Sequence, residues 1–386
     1  MSARASSRAR VLCAAAALAL SAAACGDLDN VTTVKDLRVL AVKSEPAGFL
    51  VPLGDPSSLK DTTATVTALV VDPLQPNGTM IVTGQSCPDF IDTITTASGK
   101  PSKLCPGPEV TDKFPPPLDT VLRTTPPVTG MATAVASTPF QYEPQTTFGL
   151  TPEQVSQFFT KATTGVQEID QSVAYNRDFG TDAIVNLTFS LGNESAAAIK
   201  RIVYWPLLKP EDLTPAPSPD PNKPSPTCPT SQTVNQNPDL DGIDLFRHRA
   251  DGIPTDAFDR TATPTLSLAN GDELFVQPAF TDALAEHYFL RVRNAKTNAV
   301  ETQCRKELLT FQFFATAGTF EPAERTSELP VFLTTPDNGH IPTDSQWKAP
   351  KKSGDLPADG RVTLWVVTRD ERGGVSFSSR TFVVAP

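Results

Sequence analysis

Proline is the feature that most constrains what this chain can fold into, because 37 of its 386 residues are Pro. Inside a helix, Pro removes a backbone N–H and clashes with the preceding turn, so this content argues against a helical bundle or an α/β barrel. Hydrophobic residues nevertheless make up 39% of the chain. That is enough apolar material for globular cores and argues against wholesale disorder. The sequence therefore predicts a β-rich protein with Pro-rich connections.

The charge balance and the scarcity of metal ligands argue against two classes of function, nucleic-acid binding and cofactor chemistry. The chain carries 43 acidic and 33 basic residues, a net charge of −10 at pH 7, whereas a nucleic-acid binder needs a basic face. Only three His and six Cys are present. We therefore predict no nucleic-acid partner and no cofactor.

Residues 1–24 have the pattern of an export signal. Three Arg and no acid precede an apolar run from Val11 to Leu20, and small residues follow up to Cys25. The run is too short to span a bilayer. The small residues before Cys25 resemble the lipobox of bacterial lipoproteins, in which a signal peptidase cleaves before the Cys and that Cys carries acyl chains. This resemblance implies export and lipid anchoring to the cell envelope, with the outer membrane as the expected membrane partner. An ordinary secretory signal that happens to contain a Cys is the alternative.

Four further cysteines would lie in an oxidising compartment after export. Their even number is typical of disulfide-bonded proteins. The spacing favours Cys87 with Cys105 and Cys228 with Cys304, because each pair then lies within one half of the chain. A zinc site built from all four thiolates is the rival interpretation. The absence of a C-x2-C pair from the sequence argues against zinc.

Short apolar and polar alternations separated by turn signals indicate β-strands along most of the chain. Thr63–Val71 is one example, with Ala or Val at every second position. Val362–Thr368 and Val375–Val384 predict a C-terminal hairpin across a loop at 370–374 that contains two Gly. The alternation changes phase at Ser378-Ser379, which predicts a β-bulge there.

Two Pro-rich stretches interrupt the strand pattern. The first, about 101–150, predicts an insertion lying over a sheet, and Thr151-Pro152-Glu153 predicts one short helix near 151–161. In the second, closely spaced Pro residues before Cys228 favour a semi-rigid polyproline II spacer, so a domain boundary is expected there. The predicted organisation is a signal peptide (1–24), a tether (25–36), an N-terminal domain (37–207), a Pro-rich linker (208–234) and a C-terminal domain (235–386).

Four segments carry a family resemblance. Leu37–Pro46, Ala315–Phe320, Trp347–Pro350 and Leu364–Gly374 are together similar to lipoproteins of myxobacteria, a family without an assigned activity. The C-terminal segments also resemble the Ig-like and PKD-like sandwiches of bacterial exoproteins. The resemblance and the strand pattern imply an all-β fold class, with two Ig-like antiparallel β-sandwich domains joined by a Pro-rich linker and one short helix near 151–161.

Asn237, Asp239 and Asp241 form a weak candidate for a calcium site. Their oxygens alternate along the chain ahead of a Gly, as in an EF-hand loop, but His248 occupies the twelfth position, where a bidentate Glu is required. The alternative is a solvated segment leading into the first strand of the C-terminal domain. We therefore assign no metal to the chain.

Trp365 is a candidate for an exposed sugar platform, because it lies on the strand face opposite Val362, Leu364 and Val366. The alternative is that Trp365 covers the edge of the sheet beneath a loop.

No catalytic constellation is recognisable in the sequence, so no catalytic residue is assigned. We predict a non-catalytic, membrane-anchored lipoprotein that presents Ig-like domains to a protein or glycan partner at the cell envelope. The alternative is a secreted or periplasmic hydrolase with an unfamiliar active site around His287, Glu286 or Asp370.

We expect Cys25 to be acylated in the mature protein. Mass spectrometry of protein purified from its native membrane should find an N-terminal Cys25 that carries several acyl chains, since one chain alone anchors a protein only marginally. A Cys25→Ser variant should leave the membrane fraction, whereas the control Cys13→Ser should stay there. A mature protein that begins at any other residue contradicts the prediction.

Overall fold

The structure is a computed structural model that describes residues 32–60, 62–75, 80–88, 140–150, 152–159, 174–213, 228–250, 253–267, 274–327, 343–350 and 352–385. Cys25 and Cys105 lie outside these ranges, and so do most of the predicted insertion and linker. The predictions made for those residues stay predictions.

The described residues between 38 and 207 form a β-sandwich of two sheets. Its strands are β1 (Arg38–Glu45), β2 (Gly48–Pro52), β3 (Thr63–Val71), β4 (Met80–Pro88), β5 (Gln141–Tyr142), β6 (Gln145–Gly149), β7 (Thr181–Leu191) and β8 (Glu194–Leu207). Strand β3 pairs with β1, β5 and β6 in sheet I, and sheet II has the order β2-β8-β7-β4. All these pairs are antiparallel except β2 with β8.

The end of the predicted insertion is part of the sandwich. Strands β5 and β6 both pair with β3, and Phe148 of β6 is buried in the core between the two sheets. The sequence did not predict these two strands, because the stretch is rich in Pro and Thr. Their pairing partner β3 also lies more than 70 residues earlier in the chain.

Strand β3 shows how the layers are arranged. Its inward side chains, buried between sheets I and II, are Ala64, Val66, Ala68 and Val70. On the opposite face Thr63 and Thr65 are exposed, but Leu69 and Val71 are buried. A strand buried on both faces must be covered by a further layer, so another part of the protein packs on the outer face of sheet I near Leu69 and Val71.

The predicted short helix is confirmed as α1 (Pro152–Phe159), whose Val155, Phe158 and Phe159 enter the first core. A second helical stretch, α2 (174–179), was not predicted. This helix contacts α1 through the side-chain amide of Asn176, which donates to the backbone oxygen of Phe158 over 3.1 Å. Gly180 follows with a φ of +86°, a conformation that suits Gly after a helix.

The described residues after the linker form a second β-sandwich. Its strands are β9 (Gly242–Ala250), β10 (Ile253–Ala257), β11 (Thr265–Ser267), β12 (Leu274–Ala279), β13 (His287–Arg293), β14 (Val300–Lys306), β15 (Thr310–Ala315), β16 (Thr319–Glu321), β17 (Glu324–Thr326), β18 (Ser345–Lys348), β19 (Arg361–Arg369) and β20 (Val375–Ala385). Sheet III has the order β10-β9-β12-β18-β16, and sheet IV has the order β11-β20-β19-β15-β17. Strands β13 and β14 form a separate ribbon. The chain is therefore all-β, as predicted, with a parallel pair at β11 and β20.

The two sandwiches pack directly on each other through the outer faces of sheets I and IV. Their shared apolar layer consists of Val34, Leu40, Ala41, Leu69, Val71, Trp365, Val367 and Val375, with Phe314 and Phe377 at its margin. The layers thus stack in the order II, I, IV, III. Burial of this patch joins the two sandwiches into one body.

Trp365 is the central side chain of this interface and is completely buried. Its indole N–H donates to Oε1 of Gln141 in the first sandwich over 2.8 Å. Both sequence interpretations of Trp365, a sugar platform and an edge cover, are therefore wrong. The face opposite the core was identified correctly, but another sheet covers it.

The β-bulge predicted at Ser378-Ser379 is also wrong. Strand β20 keeps an unbroken register with β19 from Val375 to Val383. Its apolar pattern changes phase because Phe377 packs at the interface between the sandwiches, whereas Phe382 packs in the core of the second sandwich. The phase change thus marks two buried faces rather than an extra residue.

Residues 32–34 of the predicted tether are instead part of the second sandwich. The backbone N–H of Val34 donates to the oxygen of Ala315, and the N–H of Ala315 donates to the oxygen of Thr32. Thr32 and Val34 are buried. Residues 32–34 therefore contact the second sandwich, although they directly precede the first strand of the first sandwich.

The disulfide predicted between Cys228 and Cys304 is confirmed. It ties the end of the linker to β14 of the ribbon. On β13, Arg291 and Arg293 reach across to Asp178 of the first sandwich, with N–O distances of 3.4 and 3.8 Å. Cys87 lies in β4, but Cys105 is outside the described ranges, so their pairing stays a prediction.

In the part of the chain that the structure describes, no helix has the length and apolar character needed to cross a membrane.

Truncating Trp365 should weaken the whole molecule. We expect Trp365→Ala to lower the free energy of unfolding by about 3–5 kcal/mol, the usual cost of removing a large buried side chain. Urea titration followed by circular dichroism measures this change.

Ile253→Ala is the matched control, because Ile253 is 43% exposed on an edge strand. Its effect should stay within about 0.5 kcal/mol. An unfolding free energy of Trp365→Ala that equals that of Ile253→Ala would show that the interface does not stabilise the protein.

Candidate functional site

The loop between β19 and β20, residues 370–374, is where ionisable groups of the described chain converge. Asp370 organises this loop, because its Oδ1 accepts the backbone N–H groups of Arg372 over 2.8 Å and of Gly374 over 2.7 Å. The side-chain amide of Asn235 donates to Oδ2 over 3.1 Å. Gly374 is needed here, since an added Cβ would collide with the Asp370 carboxylate.

Arg372 lies at the centre of a buried group of charges that we call the Arg372 cluster, formed with Glu286, Glu307 and Tyr288. Its Nε donates to Oε1 of Glu307 over 2.5 Å, and its Nη2 donates to Glu286. The guanidinium also lies 4.9 Å from the centre of the Tyr288 ring. One cation thus serves two carboxylates and an aromatic face.

The register of the ribbon explains why two acids meet. His287 pairs with Lys306 at the start of β13 and the end of β14. Glu286 and Glu307 are the next residues outward. The backbone N–H of Glu307 donates to the backbone oxygen of Glu286, and the N–H of Glu286 donates to the Glu307 side chain. Facing like charges are unfavourable, so the Arg372 cation between them is stabilising.

Burial shifts the ionisation of several groups in this region. It raises the pKa of Glu307 to about 7 against the favourable effect of Arg372, and it raises the pKa of Asp370 as well. Burial lowers the pKa of Lys200, in neighbouring β8, to about 8. Perturbed groups of this kind occur both at functional sites and in structural ion-pair networks.

The cavity beside the Arg372 cluster is too small for a substrate. His287, Tyr288 and Trp205 line it together with the end of the linker, and its volume of about 10 Å³ accommodates about one water. The indole N–H of Trp205, one of the lining residues, is buried without a hydrogen-bond partner among the described residues. A single water is the group that this cavity would hold.

The candidate hydrolase residues are therefore brought into one region, but their acids have other partners. Glu286 pairs with Arg372, and Asp370 accepts three N–H groups. Sequence reasoning missed Arg372 and Glu307. The signal available for Glu307 was its position after β14, opposite the already suspected Glu286.

The residues proposed for calcium hold the sandwiches together. Asn237 donates to the backbone oxygen of Ser44 over 2.8 Å and accepts the N–H of Val375 over 3.0 Å. Asp239 accepts hydrogen bonds from Lys43 over 2.9 Å and from the Ser376 hydroxyl over 2.6 Å.

Asp241 is exposed and uses its backbone N–H for a bond to the oxygen of Ala279. Among the described residues, no group of three or more His, Cys, Asp or Glu side chains is placed to hold a metal ion. The EF-hand interpretation of these residues is replaced by a structural one, because a lysine already occupies the central carboxylate.

No protein-family model matches the chain, and no curated protein matches its sequence. Among solved structures, the chain is similar to "Sidekick-1 immunoglobulin domains 1-5", with 8% sequence identity and a TM-score of 0.15. The alignment covers 90% of this chain and 58% of that one, so the chain spans a little over half the length of that structure. A likeness of this size does not identify a family.

The Arg372 cluster predicts a specific pH dependence of stability. A folded-state pKa of about 7 for Glu307, above its usual 4.5, means that the folded protein holds a proton which the unfolded chain releases. The resulting stabilisation is fully present below about pH 4.5 and is lost as the pH rises to about 7. Glu307→Gln, which cannot ionise, should therefore lose less stability than the wild type over this interval.

Urea titrations across this pH interval measure the difference. Burial also raises the pKa of Asp370, so this group loses stability with rising pH in the same direction as Glu307. Glu211→Gln is the control, because Glu211 is exposed in a surface pair with Lys209. Parallel stability curves for the wild type and Glu307→Gln would contradict the prediction.

Proposed function

We propose that the protein is a non-catalytic binding protein, lipid-anchored to the cell envelope through Cys25, whose two sandwiches present one rigid surface to a protein or glycan partner. The observation that carries the proposal is the state of the acids in the Arg372 cluster. A general base must direct a free lone pair at a substrate within a pocket. Glu286, Glu307 and Asp370 are all engaged, and the adjoining cavity has room for about one water.

The rigid association of the sandwiches supports a binding role. The apolar layer around Trp365 opposes relative motion between them, and Asn237 adds hydrogen bonds across the same junction. A preorganised surface loses less conformational entropy when it binds.

The short tether supports a position of the second sandwich close to the membrane. Six residues of the tether separate Cys25 from Thr32, which is hydrogen-bonded to the second sandwich. Seven peptide steps of an extended chain reach about 25 Å at most. An acylated Cys25 would hold the second sandwich within that distance of the bilayer surface.

Crosslinking in intact cells tests the proposal. A photoreactive residue is placed at Ile81, Ile199 or Ile253, which are 44%, 48% and 43% exposed. We expect at least one position to capture the same partner reproducibly. The purified partner should then bind the purified protein without being chemically changed.

A catalytic alternative has its own readout. Libraries of esters, peptides and glycans are incubated with the wild type and with His287→Ala, because His287 lines the small cavity. Turnover by the wild type that His287→Ala abolishes, together with no captured partner, would replace the binding proposal with a hydrolase.

A further inference from the structure

A second and larger recess lies where the loop 370–374 meets the first sandwich. It is an open cleft of about 240 Å³ between β1, β8 and the loop. Val39, Val42 and Ala198 supply apolar walls, whereas Lys200, Arg369 and Asp370 supply charges. We call this recess the Lys200 cleft.

Lys200 is a buried cation without an ion pair in the described part of the chain. It lies on the inward row of β8, with only 4% of the residue exposed. Its ammonium donates to the backbone oxygen of Gly373 over 2.5 Å. That carbonyl satisfies one of three N–H donors and carries no net charge.

Arg369 adds a second cation to the same cleft. Its Nε donates to Oε1 of Gln312 and its Nη2 to the backbone oxygen of Leu40, both over 3.2 Å. Both partners are neutral. The described residues give Arg369 no ion pair, and the carboxylate that acts on it from farther away is Glu324, which accepts a hydrogen bond from Gln312.

Asp370, the acid of the cleft, does not neutralise both cations. Its oxygens already accept N–H groups from the loop and from Asn235. Burial and the nearby Arg369 charge lower the pKa of Lys200 to about 8, although Asp370 acts in the opposite direction. A buried cation with a neutral partner is costly, and an anion between Lys200 and the half-buried Arg369 would offset that cost.

We propose that the Lys200 cleft binds a small organic carboxylate, with the carboxyl group between Lys200 and Arg369 and a short apolar chain against Val39, Val42 and Ala198. Arg forms paired hydrogen bonds with a carboxylate in one plane, which favours this anion. The volume lies below the usual range for drug-sized ligands, so the apolar chain must be short.

Isothermal titration of the purified protein with butyrate tests the site, and butyramide serves as the uncharged probe of the same shape. We expect saturable binding of butyrate and binding of butyramide that is weaker by about tenfold or more, since charged hydrogen bonds are lost. Inorganic phosphate should compete less well than butyrate because it cannot use the apolar walls.

Lys200→Met should abolish butyrate binding while the protein stays folded, because Met replaces a buried charge with an apolar chain of similar length. Lys209→Met is the matched control, since Lys209 is largely exposed, and it should bind butyrate like the wild type. Ala198→Leu, which keeps both cations and fills the cleft, should also block binding. Circular dichroism checks the fold of each variant.

No saturable binding of butyrate to the wild type would overturn the proposal, and so would equal binding of butyrate and butyramide. Unchanged binding in a folded Lys200→Met variant would overturn it as well. The proposal is independent of the partner-binding role, because this titration uses purified protein, whereas the crosslinking uses intact cells. Either can fail while the other holds.

Discussion

The apolar contact between the outer faces of sheets I and IV is the constraint on which the rest of this structure depends. In most antiparallel sandwiches one face of each sheet meets water. Here β3 and β19 are buried on both faces over part of their length, and Trp365 fills the space between them. Because the hydrophobic effect scales with the apolar area removed from water, separating the sandwiches would expose this whole layer.

Polar bonds at the margin of the contact determine how the two sheets are placed. Apolar burial is non-directional, so it does not by itself select one orientation. The hydrogen bond from Trp365 to Gln141 and the bonds of Asn237 to Ser44 and Val375 are directional and join specific positions. A shift of one sheet over the other would leave these buried groups without partners, which is costly.

The two recesses at the loop 370–374 follow from this placement. Once sheet IV is docked, the loop reaches β8, where Lys200 binds the Gly373 oxygen. On one side the ribbon β13–β14 closes the Arg372 cluster around a water-sized cavity, and on the other the Lys200 cleft stays open. On the first side the acids already accept hydrogen bonds from Arg372, Asn235 and the loop, whereas on the second side Lys200 has only a neutral carbonyl as its partner.

The sequence by itself determined most of the longer strands, the helix near α1, the loop between β19 and β20, and the pairing of Cys228 with Cys304. These depend on local periodicity, on turn residues and on the number and spacing of cysteines, all of which are properties of neighbouring positions. Periodicity also assigned Trp365 to the face opposite Leu364 correctly. What covers that face was decided only by the tertiary structure, because the covering residues, such as Leu69, are some 300 positions away. For the same reason Arg372 and Lys200 could not be recognised from sequence, since each acquires its role from the charges that distant strands bring beside it and from the water that they exclude.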